Sequence, residues 1–130
     1  MLDHPVLIVG GGLGGLTLSL CLAKVGIPSI IFERRSELTE SGAGIQLSPN
    51  CLRVYDYLGI MDVISEIAFE PSHIEFRDWR HNRVVSELNL SDFEEKLGFP
   101  YFAVHRGQLV ELLLSRVSEV ESIALYLDRE

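Results

Sequence analysis

The sequence predicts an α/β fold that opens on a parallel βαβ unit, and three observations in its first 33 residues carry that prediction. Val6-Leu7-Ile8-Val9 is a short continuous apolar run ending at glycines, as expected of a strand covered on both faces. Gly14 to Val25 then turns helical, with Leu16, Leu20 and Ala23 on one face and Leu13 leading in. Ser29 to Glu33 is rich in β-branched and aromatic residues and reads as a second strand. Strand, helix and strand within about 30 residues imply a right-handed parallel crossover.

The boundaries have local causes. Gly26 stands where a left-handed helix cap is expected, and Pro28 stops the helix. Ser36 to Ile45 is polar and reads as a loop. Ser48-Pro49 opens a second helix, serine as N-cap and proline in the first turn. Leu52, Tyr55 and Leu58 share a face of it, and Gly59 closes it. Met61 to Ala68 reads as a short helix. His73–Trp79 and Arg83–Leu88 alternate as strands of a hairpin turning at Arg80-His81-Asn82, with Phe76 and Trp79 expected to pack in the sheet. Tyr101–Val104 is a further strand. Gly107–Val120 is an amphipathic helix with Leu109, Leu112, Leu113 and Val117 inward, and Ile123–Leu127 is a last strand.

The chain has 130 residues, the size of one ordinary domain, and carries a formal net charge of −8. That balance argues against a nucleic-acid partner, which needs Lys and Arg to neutralise phosphates. Cys21 and Cys51 both fall in helical patterns, which points to a reduced, intracellular and cytoplasmic setting. His4, His73, His81 and His105 are too scattered for a metal site. The apolar stretch Val6–Val25 lacks a basic flank and is broken by five glycines, so it is read neither as a signal peptide nor as a membrane span. Asp92, Glu94 and Glu95 read as a solvated acidic run. No catalytic acid, base or nucleophile stands out.

Gly10, Gly12 and Gly15 satisfy the spacing G-x-G-x-x-G, with Leu13 and Gly14 between them. Each position has a physical purpose: a tight turn off the strand, a bare backbone that a pyrophosphate can approach, and close packing of helix on strand. The helix N-terminus adds N–H groups and a partial positive charge. Glu33 ends the second strand 18 residues after Gly15, where its carboxylate can accept ribose hydroxyls. A carboxylate there suits FAD or NAD and repels a 2′-phosphate, whereas Arg34 and Arg35 are either solvated charges or a preference for NADP. Spacing alone does not separate FAD from NAD.

Three stretches resemble the FAD-dependent aromatic hydroxylases, single-component flavin monooxygenases of the salicylate hydroxylase type. They are Val9–Leu16 with Ile31–Arg34; Gly42–Asn50 (Gly-Ala-Gly-Ile-Gln-Leu-Ser-Pro-Asn) with Leu52-Arg53 and Leu58-Gly59; and His105-Arg106-Gly-Gln-Leu109 with Leu112. The resemblance implies a Rossmann-like βαβ FAD-binding fold of the para-hydroxybenzoate hydroxylase type. Residues 1–130 would be the N-terminal part of that FAD-binding domain, and incomplete. Within it, 1–35 would form the ADP-binding unit, about 73–104 the start of the substrate-side sheet with its hairpin, and 105–120 a helix returning to the FAD-binding part.

The resemblance also implies roles. Gly10, Gly12, Leu13, Gly14, Gly15, Glu33 and Arg34 would hold the ADP half of FAD. Ala43 and Gly44 would pass close to its flavin side, Gln46 would line the route to the flavin, and Arg106 would contact FAD near the pyrophosphate. The implied reaction hydroxylates a small aromatic compound with O₂ and NADH or NADPH; the cofactor carries the chemistry while the protein positions and excludes water. Ser19 replaces the family's usual alanine, and Gly107-Gln108 its usual acidic residue after His-Arg. The downstream Asp-Gly and Gly-Asp segments are absent, so the chain is expected to be truncated and inactive alone. The competing readings are an NAD-binding module without flavin and a non-enzymatic remnant.

Overall fold

A computed structural model describes residues 4–38 and 43–129. The elements run β1 (Val6–Val9), α1 (Leu13–Lys24), β2 (Ser29–Phe32), β3 (Gly44–Leu47), α2 (Pro49–Leu58), α3 (Met61–Ile67), β4 (Ala68–Phe69), β5 (His73–Arg77), β6 (Val84–Asn89), α4 (Phe93–Leu97), β7 (Phe102–His105), α5 (Arg106–Ser118) and β8 (Ile123–Tyr126). They fall into two units: Met1–Ala43 with His105–Glu130, and Gly44–Val104.

In the first unit β1, β2 and β8 form a parallel sheet in the order β1-β2-β8. The register aligns Ile8 with Ile31 and Leu125, and Val9 with Phe32 and Tyr126. Side chains alternate between faces of a strand, so these two rows lie on opposite faces. The Ile8–Ile31 row is buried on α1, whose Leu16 and Leu20 are buried in turn, and α5 adds Leu109, Val110, Leu113 and Val117. Each such side chain contributes about 1.5–3 kcal/mol through burial. On the opposite face Leu7 and Val9 are exposed, Val9 at 92 %. Phe32 and Tyr126 stack there with ring centroids 5.9 Å apart.

Ends form for the expected reasons. Gly26 has φ +75° and its N–H bonds the Ala23 carbonyl. Only a residue without a Cβ enters that region freely. Ser19 is buried without cost to packing, its Oγ donating to the Leu16 carbonyl at 2.8 Å.

In the second unit β3, β7 and β4 make a three-stranded sheet and β5–β6 an antiparallel pair with an irregularity at Phe76/Arg77. Its buried side chains include Leu47, Leu52, Tyr55, Ile60, Ile64, Leu90, Phe102 and Val104. Gly59 ends α2 at φ +76°.

Four expectations need correction. The loop assigned to Ser36–Ile45 gives way to strand at Gly44, although residues 39–42 lie outside the described residues. Ser48 precedes α2 as expected, but its hydroxyl bonds the Asn50 side chain and caps no backbone N–H. The run Val6–Val9, expected to be covered on both faces, leaves Leu7 and Val9 exposed on one of them; the acidic run is solvated as expected, on the short helix α4, where Glu94 and Glu95 are exposed and Lys96 pairs with Asp92 four residues away. Phe76 and Trp79 do not pack: they are 61 % and 85 % exposed, and the Arg80 guanidinium lies over the Trp79 ring at 5.2 Å.

Candidate functional site

The glycine turn leaves β1 by a bend that only glycine makes without strain: Gly10 has φ +100°, and its N–H donates to the Phe32 carbonyl at 2.8 Å. Gly12 is the N-cap of α1, with open space where a Cβ would stand. Leu16 N–H makes an early bond of the helix, to the Gly12 carbonyl at 3.0 Å, so Leu13 and Gly14 belong to the turn whose amides point away from the helix. At Gly15 a Cβ would come within 2.0 Å of the Gly10 carbonyl oxygen, so the close approach of helix and strand requires the missing side chain.

Glu33 follows β2, and its carboxylate reaches the mouth of this turn. Gly11 N–H donates to Oε2 at 2.7 Å and Arg35 N–H to Oε1 at 3.0 Å. The residue is 7 % exposed. The Arg35 and Gly11 N–H bonds hold its carboxyl below the ordinary glutamate value, with help from the Arg35 and Arg34 charges and against the opposing effect of burial. The group is therefore an anion at neutral pH. Each oxygen keeps a further lone pair for an incoming hydroxyl.

A cavity of about 660 Å³ opens beside this carboxylate, lined by Val9, Gly10, Phe32, Glu33, Arg34 and Arg129. These residues end or follow all three strands of the parallel sheet. Ligands in open parallel sheets bind beyond the carboxyl ends of the strands. Arg129 was not among the residues singled out from the sequence; the signal for it was its place just after the last predicted strand. Such an arrangement can take an anionic group at the turn, a diol at the carboxylate and a flat apolar group against Val9 and Phe32.

The remaining expected positions divide between the two units. Arg106 N–H donates to the Ala43 carbonyl at 2.9 Å, which brings those two together within the first unit. Gly44 and Gln46 lie on β3 of the second unit, both exposed. Gly42 lies outside the described residues. Cys21 and Cys51 are free thiols, each with its pKa pushed up by burial. Among the described residues no group of three His, Cys, Asp or Glu side chains gathers as a metal site, and no helix is long and apolar enough to cross a membrane.

Comparison with known proteins bears on this geometry. A family model described as FAD binding domain matches residues 3–118. The 3-amino-4-hydroxybenzoate 2-monooxygenase of Streptomyces cremeus is 38 % identical over 114 residues, which cover 87 % of this chain and 29 % of that protein. The 3-hydroxybenzoate 6-hydroxylase 1 of Aquipseudomonas alcaligenes is 37 % identical over the same shares. The crystallised tetrameric 2-methyl-3-hydroxypyridine-5-carboxylic acid oxygenase superposes with a TM-score of 0.81 at 28 % identity, over 98 % of this chain and 32 % of that one. The chain thus spans under a third of the length of these relatives, which are by name a monooxygenase, a hydroxylase and an oxygenase.

Proposed function

Because this chain belongs to the FAD binding domain family, we propose that it holds the ADP half of FAD and forms the N-terminal portion of a monooxygenase that hydroxylates a small aromatic compound. The observation that carries the reading is the Glu33 carboxylate at the mouth of the glycine turn, 2.7 Å from Gly11 N, beside a cavity that Gly10 also lines. The residues fit the group. Open space at Gly12 and Gly14 admits a pyrophosphate to the first-turn amides of α1, with Leu13 between them. Glu33 accepts the ribose hydroxyls, and Arg34 lines the adenosine side.

Arg106, at the start of α5, lies beside Ala43 and serves the pyrophosphate with a guanidinium fork. Small residues at Ala43 and Gly44 let main-chain amides approach the flavin end, and Gln46 lines the way to it; the resemblance of Gly42–Asn50 to the hydroxylases supports these assignments. Residues 73–104 begin the substrate-side sheet on the same reading. FAD, when bound, supplies the redox chemistry of hydroxylation, with O₂ as oxygen source and NADH or NADPH as reductant. This chain supplies grip and orientation at the nucleotide end. The names of the relatives favour a small aromatic acid as substrate, and a cytoplasmic setting belongs to the same proposal.

Alone, the 130 residues are expected to bind FAD without hydroxylating. The test is to purify the chain, titrate it with FAD, ADP and NAD, and assay NAD(P)H-dependent hydroxylation. FAD binding that ADP competes away supports the proposal. Binding of NAD with no flavin favours a nicotinamide module, and binding of none of them reduces the chain to a remnant. Robust coupled turnover would overturn the expectation of inactivity.

A further inference from the structure

We propose that Arg129 closes the adenine end of the nucleotide cavity, its guanidinium lying on the face of the base; this rests on the FAD reading above. The chain leaves β8 and turns at Asp128, a non-glycine residue at φ +53°. Aspartate is among the few residues that tolerate that region. Two main-chain bonds then tie the segment to the end of β2: Asp128 N–H donates to the Arg35 carbonyl at 3.2 Å and Arg129 N–H to the Glu33 carbonyl at 2.9 Å. This path makes Arg129 a wall of the cavity, with Arg34, Val9 and Phe32, while its guanidinium donates to the Asp128 carbonyl at 3.4 Å.

Glu33 fixes the order of the ligand's parts. Its side chain meets the glycine turn at Gly11, while its main chain meets Arg129. With phosphates at the turn and ribose at the carboxylate, the base falls on the Arg129 side. The walls there, Val9 and Phe32, are apolar and suit a flat ring rather than another phosphate. A guanidinium is planar, permanently charged and weakly hydrated, so it stacks on a π face where an ammonium does so less well. The Glu33 anion close by favours a cation at this position.

Isothermal titration of the unaltered chain and of R129A with FAD, ADP and FMN tests the assignment. R129A is expected to weaken FAD and ADP by about 5- to 10-fold. FMN, which has no adenosine, is expected to respond equally to both proteins. R129K, which keeps charge and stem but not the planar fork, is expected to fall between. The side chain is exposed, so the melting temperature without ligand should not change; if R129A melts early, R129K carries the comparison. Equal FAD and ADP affinities in R129A and the unaltered chain overturn the clamp alone. Failure of the unaltered chain to bind either ligand overturns the FAD reading and the clamp with it.

Discussion

Replacing Gly15 by alanine puts a methyl group 2.0 Å from the Gly10 carbonyl oxygen, 3.2 Å from its carbon and 3.3 Å from Ile8 Cγ2. A Cβ essentially never sits closer than 3.0 Å to such an atom, so α1 and the turn must separate by about 1 Å. The obstacle is backbone, with no rotamer to swing aside. Overpacking of this kind costs about 1–3 kcal/mol, and a rigid main-chain contact belongs at or above the top of that range. The gain from replacing a helical glycine by alanine is about 1 kcal/mol. The net expectation for G15A is a loss of about 2 kcal/mol. With a urea slope near 2 kcal/mol/M that lowers the unfolding midpoint by roughly 1 M. G14A is the internal control: its Cβ meets nothing within 4 Å, and the residue is exposed in the same helix. It should raise stability by about 0.5–1 kcal/mol. Urea melts of the three proteins, followed by far-UV circular dichroism, decide the matter. A G15A midpoint equal to that of the unaltered chain, or a G14A loss as large as that of G15A, would refute the claim that helix and strand touch at Gly15.

Further outcomes follow from the same contacts. E33A leaves the buried Gly11 N–H without its acceptor, which costs about 1–3 kcal/mol in a denaturant melt and lowers ADP affinity as well. Unchanged ADP binding in E33A would detach the carboxylate from the ribose. The pKa of Glu33 is lowered by folding, so its contribution to stability is complete above the ordinary glutamate value and is lost as pH falls through the depressed one. ADP affinity should therefore hold steady down to the ordinary value and fall only below it; titrations across that window with E33Q alongside, which lacks the titrating group, would reveal a drop at higher pH if this is wrong. S19A removes a hydroxyl that bonds only within α1, and a thermal melt should show it neutral or more stable by about 0.5 kcal/mol. V9T, on the open sheet face, should reduce aggregation in light scattering without lowering the melting temperature, because Val9 is 92 % exposed.

Much of the first unit was legible because its signals are local. The apolar run at Val6–Val9, the helix stopped just before Gly26 and the strand just before Glu33 are set by side-chain periodicity and by which residues accept a positive φ, and α2 ends at Gly59 for the same reason. Short or compensated elements were harder to read. In α4 charge outweighs periodicity over five residues, and a glycine opening β3 looks like loop. The openness of the β5–β6 pair around Phe76 and Trp79 was illegible, because alternation predicts a buried face but cannot say whether anything covers it.

Local order of residues by itself determined the turn at Gly10–Gly15, the helix that follows it and the acid that closes the next strand, since each depends on neighbours within a few bonds. Tertiary structure alone decided that β8 pairs with β2, that Glu33 spends one oxygen on Gly11, and that Arg129 stands on the same cavity as Gly10 although 119 residues separate them. Those facts depend on which distant strands find each other, and pairing over such separations is fixed by the burial of whole faces and the satisfaction of backbone groups, which no short stretch of sequence contains.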